Sequence, residues 1–205
     1  MPDYFYPNKM GRILFMALEE VVGRTGLTAV LNQANLPAYI DSLPLNDLEL
    51  KVPFSHLGQM QTSLEQLYGP RGGRGVALRV GRATFRHGLR EFGPLVGVTD
   101  LTFRLKPQDA RLREGALSFA QVFNRFTDQR VRVEEKPDCF LWIIERCPVC
   151  WERQTAHPAC HLAVGLLQEA LHWATGGKFF QISETSCAAS GSQACIIQID
   201  KQPTD

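Results

Sequence analysis

The chain has 205 residues, 44 % hydrophobic and 21 % charged, a globular composition with enough apolar material for a core and unlike a disordered, collagenous or fibrous chain. Lys+Arg 22 against Asp+Glu 21 leaves a net charge of +1, which removes any bulk attraction to nucleic acid or an anionic membrane. The longest unbroken apolar runs, Ile13 to Leu18 and Cys139 to Ile144, fall far short of the roughly 20 residues of a spanning helix. The N-terminal Met-Pro-Asp-Tyr-Phe-Tyr-Pro also lacks the basic and long apolar regions of a secretory signal. The expectation is a cytoplasmic protein of one domain over 1–205, with 1–127 mainly helical and 128–200 forming a sheet plus a helix.

In chain order, Lys9 to Val22 reads as an amphipathic helix, with Met10, Ile13, Leu14, Ala17, Leu18 and Val21 at spacings of three and four and Gly23 as its stop. A short helix from Thr25 to Gln33 follows, and Leu36 to Pro53, with its three prolines, reads as a loop with a turn of helix at most. Ser55 is a candidate N-cap for a helix through Leu57, Met60, Leu64 and Leu67 that closes at Gly69-Pro70. The helix from Gly75 to Phe92 carries two apolar stripes, Leu78, Phe85, Leu89 and Phe92 on one side and Val76, Val80, Ala83 and Thr84 on the other, so it is expected between two layers. Gly81 and Gly88 flank the first stripe, where missing side chains serve close helix packing or leave room for a ligand. Gln108 to Phe126 repeats the pattern through Leu112, Ala116, Phe119, Phe123 and Phe126.

After Asp128 the period drops to two: Val131 and Val133 alternate with charged neighbours, Pro137-Asp138 turns, and Phe140 to Ile144 returns as a hairpin. A polar stretch from Glu145 to His157 leads to a helix from Pro158 to Ala174, then to strands Lys178 to Glu184 and Ala194 to Ile199. Helices first, then strands with one inserted helix, predict an α+β fold with a four-stranded antiparallel sheet.

All six cysteines lie between positions 139 and 195, which points to a local site. Cys187 and Cys195 flank a turn at Gly191, Glu184 lies three residues before Cys187, and Cys160 opens a helix, where the positive helix end favours a thiolate. Thiolates with one carboxylate suit tetrahedral Zn²⁺. A second reading stays open, a set of buried small hydrophobes, which is how free cysteine usually behaves. The CxxC at Cys147 and Cys150 is compatible with second or alternate metal ligands, thiol redox chemistry, or structure alone, and Cys139 reads as a packing residue in a strand.

Pro158-Ala-Cys-His-Leu-Ala-Val-Gly-Leu-Leu and Glu184-Thr-Ser-Cys-Ala-Ala-Ser-Gly-Ser-Gln-Ala-Cys together resemble the 4-vinyl reductase domain family, whose pattern is P-x-C before a helix and then E-x-x-C-x-A-x-G-x-x-x-C. That family shares its fold with trafficking-complex subunits and with the sensory domains of phenol-responsive activators. The resemblance implies a small α+β, hydrocarbon-binding type of domain that dimerises, with zinc held by Cys160, Glu184, Cys187 and Cys195.

Weaker signals remain. Pro70-Arg-Gly-Gly-Arg-Gly reads as a flexible loop with solvated arginines, or as a helix start able to hold an anion. Arg79, Arg82, Arg86 and Arg90 form a solvated or acid-paired stripe, His87 reads as a satisfied core residue, and His161 as a neighbour of the metal site. No catalytic triad, carboxylate pair or dinucleotide fingerprint is legible. The expected function is therefore a zinc-stabilised sensor or carrier for a small hydrophobic or aromatic molecule, in a pocket lined by Phe85, Phe119, Phe123 and Trp142. It would form a homodimer through the Met10 to Val22 helix and act through a separate partner. The alternative is an enzyme or accessory of bacteriochlorophyll synthesis that reduces a tetrapyrrole vinyl group, for which no nucleotide site supplies electrons.

Overall fold

The computed structural model describes residues 3–204. Met1, Pro2 and Asp205 lie outside the described residues, and with them the first part of the N-terminal reading and the outer limits of the one-domain expectation. Two long helices dominate the first half, α1 (Asn8–Gln33) and α3 (Phe54–Phe92), and each is two helices joined across a glycine. Gly23 (φ 73°, ψ 171°) and Gly69 (φ 71°, ψ 168°) adopt the same conformation, one open in practice only to glycine. The break expected at Gly23 is present. After Gly69 the helix resumes at once, because Pro70 occupies the first helical position, where its fixed φ fits and its missing N–H costs nothing. The stretch from Pro70 to Gly75 is thus helix and not a flexible loop.

The segment read as loop also contains a strand. β1 (Phe5–Pro7) pairs antiparallel with β2 (Leu50–Pro53), and each runs through its final proline into a long helix. Strands of three and four residues are too short to show a period in sequence. Between them α1 and a one-turn α2 (Ala38–Asp41) complete the N-terminal layer. Met10, Ile13, Leu14, Phe15, Ala17 and Leu18 are buried in the chain's own core, where α1 packs on α3. The face on which a homodimer was expected is therefore already covered. Among the described residues no helix is long and apolar enough to cross a membrane.

Beyond α3 come a short α4 (Leu101–Arg104) and α5 (Gln108–Phe126), then the sheet of β3 (Val131–Glu135), β4 (Cys139–Ile144), β5 (Phe180–Ser186) and β6 (Cys195–Pro203), with α6 (His161–Ala174) inserted after β4. The mixed α+β class and the four-stranded antiparallel sheet are as expected, in the order β3-β4-β6-β5. In register, Phe140 faces Ile199, Trp142 faces Ile197 and Ile144 faces Cys195, so these six share the buried face that meets the helices. Ile182 and Glu184 of β5, opposite Ile199 and Ile197, belong to the same face.

α6 is clamped between this sheet and α3. A Cβ on Gly165 would stand 2.1 Å from the Leu78 carbonyl oxygen, and one on Gly81 would stand 2.1 Å from that of Leu162. The two helices therefore meet backbone to backbone. Around this crossing Arg82 hydrogen-bonds Gln168 and Arg86 pairs with Glu20 and Glu169, so part of the arginine stripe is acid-paired. His87 joins it by binding Glu20 at 2.8 Å on a half-exposed surface, and is not a core histidine. Gly165→Ala should force the helices apart and cost about 1–3 kcal/mol or more, read as a fall in melting temperature of roughly 2–4 °C per kcal/mol. Gly69→Ala, with open space around its Cβ, should cost about 1–3 kcal/mol through backbone strain alone. Thermal denaturation followed by circular dichroism checks both.

Candidate functional site

Two features meet near the start of α6. The first is an apolar cavity of about 110 Å³ lined by α1, α3, α5, α6 and β4. Phe85, Phe119, Phe123 and Trp142 all line it. Phe85 packs edge-on against Phe119 at 5.3 Å between centroids, and Phe123 edge-on against Trp142 at 6.3 Å. Gly88 also lines it, and a Cβ there would meet nothing within 4 Å. Gly81 and Gly88 thus divide the two roles glycine can play on this helix: one is helix contact, the other is space.

The few polar groups in the cavity wall are already satisfied within the protein. The Thr84 hydroxyl donates to the Val80 carbonyl at 2.8 Å, and the Tyr6 hydroxyl donates to Gln129 Oε1. Burial pushes the Tyr6 phenol well above its ordinary value, so it stays protonated and neutral. None of the five histidines and no lysine or arginine lines the cavity. His56 instead bonds Tyr39, and His172 stacks on Phe179.

The second feature is a cluster of five buried thiols. Cys147 and Cys150 sit on a tight turn after β4, Cys160 caps the N-terminus of α6, and Cys187 and Cys195 flank the β5–β6 hairpin. Cys150 Sγ lies 3.2 Å from that of Cys160 and 3.5 Å from those of Cys187 and Cys195. Cys160 Sγ lies 3.4 Å from both Cys147 and Cys195. The Cys160 thiol donates to Cys195, which also accepts the Ala188 N–H; contacts among the sulfurs push the Cys150 and Cys187 thiols down and those of Cys160 and Cys195 up. Glu184 joins through Oε2, which accepts the Cys160 N–H at 2.8 Å. Its other oxygen is buried without a partner, and burial raises the carboxyl to about 8.

The turn that carries Cys147 and Cys150 is anchored twice. Arg153 makes a two-pronged ion pair with Glu65 of α3 at 2.9 Å, and Thr155 N–H bonds the Ala189 carbonyl of the hairpin. Trp151 packs edge-on against Tyr4 at 5.0 Å. Sequence spacing treats the CxxC as separate from the other cysteines, and nothing in spacing reveals that this turn folds back onto α6. Cys139 stays apart, at the far end of β4 and on its opposite face. Cys147 belongs to both features: its sulfur is in the cluster and its residue lines the cavity.

No family model and no curated protein matches this chain. Solved structures do. An H-NOX protein from S. oneidensis in the Fe(II)NO ligation state is 16 % identical, with 95 % of this chain and 99 % of that one covered, at a TM-score of 0.56. The Fe(II) unliganded H-NOX protein from K. algicida is 11 % identical, with 97 % of each chain covered, at 0.60. An H-NOX domain from Shewanella oneidensis in the Fe(II)CO state is 15 % identical over 94 % and 98 %, at 0.55. At this identity the likeness establishes the fold, and the fold is H-NOX-like.

Several expectations are corrected here. The resemblance to the 4-vinyl reductase family fails, because no family model matches and the structures that match over nearly the whole chain are H-NOX proteins. Zinc falls with it, since those neighbours are described by their Fe(II) states, although Cys160, Glu184, Cys187 and Cys195 do come together, joined by Cys147 and Cys150. The zinc-stabilised sensor or carrier of a hydrophobic or aromatic molecule, and its alternative in tetrapyrrole vinyl reduction, lose their support for the same reason.

Burial separates the six thiols into two groups. Cys139 is half-buried and the other five are buried. In the reduced native protein a thiol reagent should modify Cys139 first, and the remaining five should react only with global unfolding. Mass spectrometry of partly alkylated protein reads the order directly.

Proposed function

We propose that this chain is a sensor module for a small, uncharged, gas-sized molecule, taken up in the apolar cavity without haem and reported to a partner protein. The cavity carries the reading: it is lined mainly by aromatic and aliphatic side chains, holds no charge, and has a glycine where a side chain would fill it. A dry apolar cavity of roughly 150 Å³ takes benzene or xenon, so a space of this size accommodates a diatomic or noble gas. The fold supports it as well, since the neighbours are described with NO or CO bound.

Those neighbours bind gas at iron, and haem is the group the fold implies. The residues present do not fit it. Pockets for ligands of drug size measure about 300–1,000 Å³, well above the 110 Å³ here. The wall offers no imidazole and no cation for a propionate. Of its potential axial groups, Tyr6 is engaged by Gln129 and Cys147 by Cys160, which leaves the Met10 thioether. No step in the proposed function passes through haem.

Xenon is the probe. Under xenon pressure, NMR shifts should concentrate on Phe85, Phe119, Phe123 and Trp142, saturate with pressure, and vanish in Gly88→Leu. That variant should also melt higher, because it fills a cavity and removes a helix glycine worth about 1 kcal/mol. Absence of xenon-dependent shifts in the wild-type chain overturns the proposal. So does one equivalent of haem that remains bound, with a Soret band, through gel filtration.

A further inference from the structure

A second cleft borders the turn that follows β4. It measures about 240 Å³ and lies between the end of α1, one face of the first half of α3, and the segment from Trp151 to Arg153. It shares no lining residue with the apolar cavity. We propose that this cleft is a binding site for a small, neutral, polyhydroxylated ring compound, a monosaccharide or cyclitol.

The wall decides the chemistry of the occupant. Gln33, Gln59 and Gln66 bring three amides to it. Gln33 Nε2 donates to Gln66 Oε1 at 2.7 Å, which leaves Gln33 Oε1 to accept and the Gln66 amide nitrogen to donate. Among the described residues the Gln59 amide, the Ser55 hydroxyl and the Trp151 indole N–H have no hydrogen-bond partner. The Thr62 and Ser63 hydroxyls donate to the carbonyls of Gly58 at 3.0 Å and Gln59 at 2.9 Å and keep their lone pairs. The cleft therefore offers donors and acceptors together, the complement of a set of hydroxyls, each of which is both.

Charge excludes the other classes. Arg153, the cation that lines the cleft, is already spent: its Nη2 binds both Glu65 oxygens at 2.9 Å and its Nη1 the Val149 carbonyl at 3.0 Å. An anionic ligand would meet no free positive charge and would face Glu152, whose carboxylate has no partner among the described residues. A cation would find that one exposed carboxylate, a weak attraction in water. An apolar guest would strand the amides. Trp151 supplies a broad apolar surface, held edge-on by Tyr4 at 5.0 Å and Phe54 at 6.2 Å, and the C–H face of a sugar ring matches it. Between Trp151 and Arg153, Glu152 adopts φ 58°, a left-handed conformation that persists where the surroundings fix it. A volume below the roughly 300–1,000 Å³ of drug-sized pockets limits the occupant to a single ring.

The test uses heteronuclear NMR of the full, isotope-labelled chain. It contains three tryptophans, and the Trp151 indole signal is identified by its loss in Trp151→Phe, which keeps a ring against Tyr4 and Phe54. Titration with D-glucose, D-galactose, D-mannose and myo-inositol should shift that signal saturably with at least one of them. Gln59 is exposed and holds nothing in the protein, so Gln59→Leu should keep the circular dichroism spectrum and weaken binding by roughly tenfold, the loss of about one hydrogen bond. No saturable shift with any of the four overturns the proposal. So does equal or tighter binding of inorganic phosphate or tetramethylammonium at the same signal, or a polyol affinity unchanged in Gln59→Leu. Because the cleft and the apolar cavity have no lining residue in common, these outcomes are independent of the xenon result.

Discussion

The backbone contact between Gly81 of α3 and Gly165 of α6 sets the position of everything around it. With no side chain between them, the helices approach until a Cβ on either would collide with a carbonyl oxygen of the other. Crossed helices diverge away from their contact. Gly88, seven residues along α3, lies on nearly the same face two turns from Gly81, at a point where α6 no longer fills the space and the cavity opens. The start of α6, held by this contact, lines the cavity with Leu162, Ala163, Leu166 and Leu167 and carries Cys160 against Cys195. One glycine contact therefore fixes the helix end at which the cavity and the sulfur cluster meet.

Strand parity decides which cysteines join. Ile144 and Cys195 are direct partners at the end of β4 and β6 nearest α6, on the face that meets the helices. Cys139 pairs with Asp200 at the other end and on the opposite parity, so no side-chain rotation can bring it to the cluster. Glu184 reaches it because it shares the parity of Ile182, while the irregularity between Glu184 and Ser186 shifts the register just before Cys187.

Much of this frame is legible in the residues. The breaks at Gly23 and Gly69, the helices ending near Phe92 and Phe126, and the change to period two after Asp128 all follow from local chemistry, because each depends on one glycine or one stripe. Phe85, Phe119, Phe123 and Trp142 are visible as apolar stripes, yet a stripe that lines a cavity and one that fills a core look alike in sequence. What separates them is Gly88, and the meaning of Gly88 depends on where α6 passes. β1 and β2 escape notice because three and four residues show no period. The five-thiol cluster is legible only in halves, since the turn holding Cys147 and Cys150 is folded back by Arg153 on Glu65, a contact 88 residues apart in sequence. The family pattern misleads for a related reason: a motif of cysteines around a hairpin records local spacing, whereas the H-NOX-like course of the chain is fixed by long-range packing.

Five thiols in contact cannot all be thiolates without a cation, since like charges at such distances raise one another's pKa. In the protein alone the thiols divide, with Cys150 and Cys187 pushed down and Cys160 and Cys195 pushed up. This state already draws the turn after β4, the start of α6 and the hairpin onto one point, so the cluster joins three segments that would otherwise meet only through apolar packing. Cys147 extends that junction to the cavity wall, where it sits with Pro148 and Val149. Any change that moves Cys147 toward or away from the cluster must alter the cavity, and any occupant pressing on that wall must alter the cluster. The coupling is reciprocal by thermodynamic necessity, and it needs only the single residue the two features share.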